Sequence, residues 1–255
     1  MTAVFVFSHP NHEVSVLGMI CRKRPHIIFL TDGGGERRVQ ETMRGLSRFL
    51  PSGHLHFLDR TEESLYRALV NRDDQFYCRL ASDVGVVLQA LQPQEAYCDA
   101  VEFYNPVHDM ALPVVRIASR ELGDVALFEV PLVYEKASVP GSFELQRVPP
   151  SLADRANFVH LTEHELRRKT DVLSDGTYGA LMSQLGPLIS DALPTRAQIE
   201  CYLKARDRLP APEPDQLLRY DVRGRLLQAT GDVRSGISYR EHYVPMVHDL
   251  RAFSD

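Results

Sequence analysis

The chain has 255 residues, of which 44% are hydrophobic and 25% are charged, and its formal net charge at pH 7 is -5. This length fits one α/β domain, or one domain with an appended segment, and supports a core that needs no disulfide bonds. The acidic balance and the absence of a long Lys/Arg run argue against a nucleic-acid-binding surface, and no apolar run is long enough to predict a membrane span.

The four cysteines are spread along the chain without a Cys-x-x-Cys pair. This spacing argues against a cysteine-based zinc finger and against a framework of disulfide bonds. The first residues already have the pattern of a strand, without the charged and apolar regions of a signal peptide. We therefore expect a cytoplasmic protein.

Strand-like and helix-like segments alternate through the first half of the chain. Short apolar runs predict strands at residues 4–7, 26–30, 55–58, 95–98 and 125–133. Apolar residues at helical spacing predict helices at residues 37–49, 62–70, 81–91 and 112–122. This alternation predicts an α/β fold with a Rossmann-like, mostly parallel sheet that has helices on both faces.

The later part of the chain has a different organisation. Helices are predicted at residues 163–174 and 178–193, and the proline-rich segment 210–214 reads as a stiff connector. We expect a catalytic domain over residues 1–205 and a C-terminal extension over residues 206–255. The extension either covers the mouth of the active site or mediates contacts, so self-association into a homo-oligomer stays open.

Histidines follow two of the predicted strands. His9 and His12 come directly after the first strand and are three residues apart, so both imidazoles can face one ion from a single turn. His108 lies in the loop 105–109, which follows a later strand. Sheets of this type bind ligands where strands lead into helices. Three protein ligands with an open fourth position are typical of a catalytic zinc site.

Four short motifs lie at residues 9–13 (HPNHE), 31–33 (TDG), 38–41 (RVQE) and 105–108 (NPVH). They resemble the motifs His-Pro-Asp-Asp-Glu, Thr-Asp-Gly, Arg-x-x-Glu and His-Pro-Asp-His of the LmbE/PIG-L family of zinc-dependent N-deacetylases. The resemblance extends over roughly residues 3–190.

The resemblance implies a metal site and a class of substrate. His9 and His108 would be the first and last zinc ligands, and His12 would replace the family's aspartate as the middle ligand. Imidazole and carboxylate both bind zinc at about 2.0–2.2 Å, so the exchange preserves a donor. We expect one zinc ion per chain, with another divalent metal left open. The implied partner is a small molecule, such as an N-acetylated sugar or a glycoside.

The family's proton-transfer residues are changed in this chain. Asn11 stands where the family has its general-base aspartate, and an amide cannot take a proton from water. Loss of a general base costs about 10²–10⁴-fold in rate. Asn105 replaces the histidine that stabilises the oxyanion and can still donate a hydrogen bond, whereas Val107 replaces the aspartate that orients that histidine.

Two carboxylates are candidates for a replacement base. Asp32 lies at a strand end on the same edge and ranks ahead of Glu13, which follows the second ligand. Each has a structural alternative, because Asp32 could cap the next helix or orient a metal-binding histidine, and Glu13 could support the ligands from behind. Arg38 is a candidate for substrate binding. The alternative is that it forms an ordinary salt bridge to Glu36 or Glu41.

Two functions remain open at this point. The first is a metal-dependent hydrolase that acts on an N-acyl, sugar-derived small molecule with a non-standard base, or a related metal-assisted reaction. The second is a non-catalytic relative that binds metal and ligand without turning the ligand over. Asn11 and Val107 favour the second, whereas the three preserved donor positions favour the first.

Overall fold

The structure is a computed structural model that describes residues 2–135, 143–148, 150–183, 198–206, 211–213, 216–227, 230–232 and 234–252. The strands are β1 (Ala3–Phe7), β2 (His26–Phe29), β3 (Leu55–Phe57), β4 (Glu95–Asp99), β5 (Ala126–Val130), β6 (Val133–Glu135), β7 (Phe143–Leu145), β8 (Ala156–His160) and β9 (Ile199–Lys204). The α-helices are α1 (Leu17–Lys23), α2 (Glu36–Leu46), α3 (Glu62–Val70), α4 (Asp74–Leu91), α5 (Pro106–Asp109), α6 (Ala111–Ala118), α7 (Glu163–Ser174), α8 (Arg219–Leu227) and α9 (Val244–Ala252).

Within the described part of the chain, seven strands form one sheet in the order β3-β2-β1-β4-β5-β9-β8. The first five strands in this order are parallel, and β9 and β8 are antiparallel additions at one edge. The strands β6 and β7 form a separate hairpin. The predicted mostly parallel α/β sheet is therefore confirmed.

Helices cover both faces of the sheet because its central strands are apolar on both sides. In β1, Val4 and Val6 face the core formed with α3, α4 and α6, whereas Phe5 and Phe7 face the core formed with α1, α2 and α7. All four side chains are fully buried. Such continuous apolar runs are typical of parallel strands, which are covered from both sides.

Two of the differences between the predicted and the observed elements have a visible physical cause. The single strand expected at 125–133 is divided into β5 and β6, because Pro131 lacks an N–H group and the next two N–H groups bind the Glu102 carboxylate. The predicted loop 105–109 contains the short helix α5, which the Asn105 side chain caps. Parts of the predicted helix 178–193 and of the connector 210–214 lie outside the described residues.

The described residues beyond 205 pack on the same core as α4 and α6. Tyr220, Tyr243, Met246 and Leu250 are buried in that cluster. The Arg219 N–H donates to Phe103 O at 2.9 Å, so this segment also contacts the loop after β4. These contacts do not test the division at residue 205, which stays a prediction. No helix in the described residues has the length and apolar character required to cross a membrane.

Replacing a core residue of β2 tests the packing. Ile28 is fully buried in the core against α3 and α4, so we expect Ile28→Ala to lower the free energy of unfolding by about 2–5 kcal/mol. Val86 is 66% exposed on α4, and Val86→Ala should change it by less than about 0.5 kcal/mol. Urea titration with circular dichroism as the signal gives the free energy of unfolding of each variant. Equal decreases in the two variants would contradict this packing.

Candidate metal centre

The order of the strands brings the two histidine-bearing loops together. Strand β1 pairs with β2 on one side and with β4 on the other. The connection after β1 leads to β2, and the connection after β4 leads to β5 on the other side of the sheet. A crevice opens at such a switch point, outside the carboxyl ends of the strands. The segment 8–13 after β1 and the segment 100–109 after β4, which includes α5 and His108, meet at this crevice.

His9, His12 and His108 converge at the crevice, and one ligand atom from each lies within 4.8 Å of the others. The Nε2 atoms of His9 and His108 are 2.9 Å apart. The ring centroids of His9 and His12 are 3.9 Å apart, and those of His12 and His108 are 4.3 Å apart. These three buried imidazoles form a group that could hold one metal ion.

The outer nitrogens of two of the rings are engaged by oxygen acceptors. His9 Nδ1 lies 2.9 Å from Pro10 O, and His12 Nδ1 lies 2.9 Å from Asp99 Oδ2. An imidazole that donates from Nδ1 presents a lone pair on Nε2, and this is the usual arrangement of metal-binding histidines. His108 Nδ1 is buried with no hydrogen-bond partner in the described structure. This donor set fits a divalent ion of the zinc type.

Burial keeps the three imidazoles neutral. Desolvation lowers the pKa of all three histidines, and the pKa values of His12 and His108 fall further than that of His9. At His12 and His108, the charges of neighbouring histidines and of Arg38 add to the lowering of the pKa. Neutral imidazole is the form that binds metal, so the site does not have to lose protons before it loads. Burial also raises the pKa of Asp99 to about 7, although its hydrogen bond from the Ser8 N–H opposes this rise.

Asn11 forms the turn between the two histidines of the first loop. Its φ angle is 83°, a left-handed conformation that asparagine adopts more readily than most residues. Its N–H donates to Thr42 Oγ1 at 3.1 Å, which ties the turn to α2. Its side-chain Oδ1 also lies 3.1 Å from Thr42 Oγ1. The amide side chain at position 11 therefore helps to hold the loop.

Glu13 points into a pocket behind the loop. Its Oε1 accepts from the Thr42 hydroxyl at 2.6 Å and from the Tyr178 hydroxyl at 2.9 Å. Burial raises the pKa of Glu13 to about 7. These bonds connect the first loop to α2 and to the residues after α7, which is the supporting position considered from the sequence. A role for Glu13 as a base stays a prediction.

Asp32 and Asn105 both bind the start of a helix. Asp32 Oδ1 accepts from the N–H groups of Gly34 at 3.0 Å and Glu62 at 3.1 Å, so it joins the loop before α2 to the start of α3. Asn105 Oδ1 accepts from the Val107 N–H at 2.9 Å, which caps α5 and orients the turn that carries His108. With Oδ1 used in this way, the amide group of Asn105 is its donor for a ligand.

Arg38 on α2 lies beside the metal centre. A Cβ atom built on Gly33, whose φ is +65°, would lie 3.0 Å from His9 Cβ and 3.3 Å from Arg38 Cδ. Only glycine leaves room for this approach. The charge of Arg38 lowers the pKa values of all three histidines. The ion pair with Glu41 is formed by the neighbouring Arg37, at 3.6 Å.

Sequence reasoning did not single out Asp99 or Tyr66, which both lie at this centre. Asp99 ends β4 and accepts from the Ser8 N–H at 2.7 Å, as well as contacting His12. Tyr66 on α3 places its hydroxyl 3.1 Å from Asn105 Oδ1 and 3.1 Å from Glu62 Oε1. Asp99 could have been found from the sequence, because it is a polar, potentially functional side chain at the carboxyl end of an apolar strand. The same position relative to a strand indicated His9.

Neither a family model nor a curated protein sequence matches the chain. Solved structures share its fold at low sequence identity. A deacetylase of teicoplanin biosynthesis has a TM-score of 0.55 and 14% identity, over 82% of this chain and 100% of the other. The A40926 pseudoaglycone deacetylase has a TM-score of 0.55 and 13% identity, over 82% and 98% of the two chains.

A third solved structure with this fold is an N,N'-diacetylchitobiose deacetylase from Pyrococcus horikoshii in complex with an inhibitor. Its TM-score is 0.50 and its identity 12%, over 79% of this chain and 82% of the other. The chain therefore has the α/β fold of LmbE/PIG-L-like deacetylases. At such identities the likeness establishes the fold, and the chemistry has to be argued from the site.

Removing a ligand tests the metal centre. We expect protein incubated with Zn²⁺ and then desalted to hold roughly one zinc ion per chain, and His12→Ala and His108→Ala to lose it, because two imidazoles bind zinc far more weakly than three. His56→Ala is the matched control, since this ring on β3 contacts His26 and is not part of the group formed by His9, His12 and His108. Elemental analysis gives the ratio. Full zinc content in the two ligand variants would contradict this centre.

Asp99 should set the metal affinity without being a ligand. Asp99→Asn keeps the size of the side chain but removes the charged acceptor of His12 Nδ1, so we expect zinc affinity to fall about 10–100-fold. Competition with a fluorescent chelator measures the affinity. Asp83→Asn, which removes a carboxylate that pairs with Arg60 at the surface, should leave it unchanged. An unchanged affinity in Asp99→Asn would show that His12 needs no such acceptor.

Proposed function

We propose that the protein is a zinc-dependent hydrolase of the LmbE/PIG-L type that removes the acyl group from an N-acylated, sugar-derived small molecule. The convergence of His9, His12 and His108 at the switch point of the sheet carries this proposal. The fold supports it, because the three solved structures reported above, which share the fold, are deacetylases. A structural zinc ion would call for a fourth protein ligand, whereas the described residues offer three at this centre.

Each residue of the centre has a task in this reaction. His9, His12 and His108 would hold the zinc ion, which polarises the substrate carbonyl and activates water when it is bound. Asn105, with its Oδ1 held by the cap of α5, would donate from its amide group to the carbonyl oxygen as negative charge develops there. Arg38 beside the histidines would bind a hydroxyl or an anionic group of the substrate.

Hydrolysis also requires a group that moves a proton. Water adds its oxygen to the carbonyl carbon and loses a proton, and the amide nitrogen has to gain a proton as the C–N bond breaks. The Asn11 side chain cannot accept that proton. The proposed enzyme therefore works with a base other than the one found in the family.

A second function is favoured by one observation, the amide at position 11. A chain that kept the donors and lost the base would bind metal and an N-acyl ligand without hydrolysing it. In that case Asn11→Asp would create hydrolysis that the natural chain lacks, since the turn and its bond to Thr42 can hold an aspartate in the same place. In the proposed enzyme, the unchanged chain is already active.

Acetate release tests the proposal. Zinc-loaded protein incubated with N-acetylglucosamine, N,N'-diacetylchitobiose and N-acetylated glycosides should release acetate from at least one of them. A chelator should abolish this activity and added zinc should restore it, with His108→Ala inactive throughout. Activity in Asn11→Asp alone would select the binding protein. No release by either chain, with zinc bound, would reject N-deacetylation of these substrates.

A further inference from the structure

A carboxylate outside the family motifs lies next to the metal centre. Glu62 is the first residue of α3, and its Oε1 is 3.1 Å from the Tyr66 hydroxyl. The same hydroxyl is 3.1 Å from Asn105 Oδ1. Because Asn105 begins the helix that carries His108, the Tyr66 hydroxyl joins Glu62 to the loop of the third ligand.

Glu62 also lies beside the glycines that pack against the first of the three histidines. Its Oε2 would lie 3.6 Å from a Cβ atom built on Gly34, and the adjacent Gly33 packs against His9 Cβ. Among the charged groups that act on His9, Glu62 has the largest effect on its pKa and raises it against the effect of burial. The carboxylate of Glu62 therefore lies on the His9 side of the crevice as well as on the His108 side.

The other carboxylates at this edge are held by groups that leave them little freedom. Both oxygens of Asp109 accept from backbone N–H groups, and so do both oxygens of Glu102. Asp99 binds the Ser8 N–H and His12 through one oxygen, and Asp32 binds two backbone N–H groups through one oxygen. Glu13 is turned toward Thr42 and Tyr178.

Glu62 differs from the four carboxylates that bind backbone N–H groups, because the described partner of its carboxylate is a side-chain hydroxyl. It differs from Glu13 because its side chain is only half-buried, whereas Glu13 is fully buried, and because it stands at the start of a helix. A base must reach the attacking water within hydrogen-bond distance and must exchange its proton during turnover. A carboxylate that is already committed to backbone N–H groups does this poorly, because proton uptake costs it those bonds.

We propose that Glu62 is the general base and acid of this centre and replaces the aspartate that Asn11 has displaced. The inference rests on the proposed hydrolase function. Glu62 accepts a proton from the water whose oxygen bonds to the carbonyl carbon. It then returns that proton to the amide nitrogen as the C–N bond breaks, which leaves a carboxylic acid, a free amine and an ionised Glu62. The Tyr66 hydroxyl orients the carboxylate between the two ligand loops.

The chain offers a matched control one residue away. Glu63 is the second residue of α3, is exposed, and pairs with Arg67 on the same helix at 2.5 Å. Glu62→Gln and Glu63→Gln each remove one carboxylate from the first turn of α3 and keep the side-chain volume. A difference in ligand affinity or in kcat between the two variants therefore depends on where Glu62 lies, because both variants remove the same charge from the start of the helix.

The experiment compares zinc-loaded wild type, Glu62→Gln, Glu62→Asp and Glu63→Gln. Zinc content is measured first and should be equal in all four. Acetohydroxamic acid is then titrated by calorimetry. It donates a proton to a neighbouring base when it binds a metal, so we expect about tenfold or more weaker binding in Glu62→Gln and wild-type affinity in Glu63→Gln. On a substrate that the wild type deacetylates, kcat should fall about 10²–10⁴-fold in Glu62→Gln.

The outcomes separate the two proposals. Equal hydroxamate affinity in Glu62→Gln and Glu63→Gln overturns the role of Glu62, whether or not a substrate is found. Weaker binding confined to Glu62→Gln, without acetate release by the wild type, supports Glu62 as the proton acceptor and rejects N-deacetylation of the substrates tested. Partial recovery in Glu62→Asp supports a carboxylate requirement. A wild-type protein that takes up no zinc overturns both proposals.

Discussion

The bond between His12 and Asp99 is the constraint on which the metal centre depends. Asp99 ends β4 and is fully buried, and its Oδ2 accepts from the Ser8 N–H at 2.7 Å and contacts His12 Nδ1 at 2.9 Å. A buried carboxylate is costly unless hydrogen bonds compensate for the lost water. The loop after β1 supplies those bonds, so the orientation of His12 is tied to the pairing of β1 with β4.

The segment that carries His108 is held by the same principle of compensated burial. Asn105 caps the helix that carries His108, and the carboxylate of Asp109 binds the N–H groups of Glu102 and Phe103. The Tyr243 hydroxyl donates to Asp109 O at 3.0 Å, so the C-terminal segment contributes to the same loop. His108 is therefore positioned by contacts from three parts of the chain.

The changed residues of the first motif form a consistent local structure. Asn11 takes a left-handed conformation and is tied to Thr42, and Thr42 also contacts the buried Glu13. The loop can thus keep its shape without a base at position 11. In the proposed enzyme, binding of metal stays with the loops after β1 and β4, whereas proton transfer moves to Glu62 on the helix after β3.

The sequence by itself determined the class of fold and the residues able to bind metal. Alternating apolar runs and helical spacing predicted a parallel sheet with helices on both faces, since burial on both sides requires strands such as Val4–Phe7 to be apolar throughout. Side-chain chemistry was sufficient to single out His9, His12 and His108, and to show that Asn11 cannot act as a base.

Only the tertiary structure decided which side chains meet. The partner of His12 is Asp99, 87 residues away, and Tyr66 reaches Asn105 across 39 residues. Such pairs depend on strand order and on the direction of each loop, and neither leaves a periodic pattern in the chain. For the same reason Glu62 was indistinguishable from Glu63 in the sequence. Glu62 contacts Tyr66 next to the segment that carries His108, whereas Glu63 pairs with Arg67 in solvent. Only the orientation of α3 about its own axis separates the two glutamates.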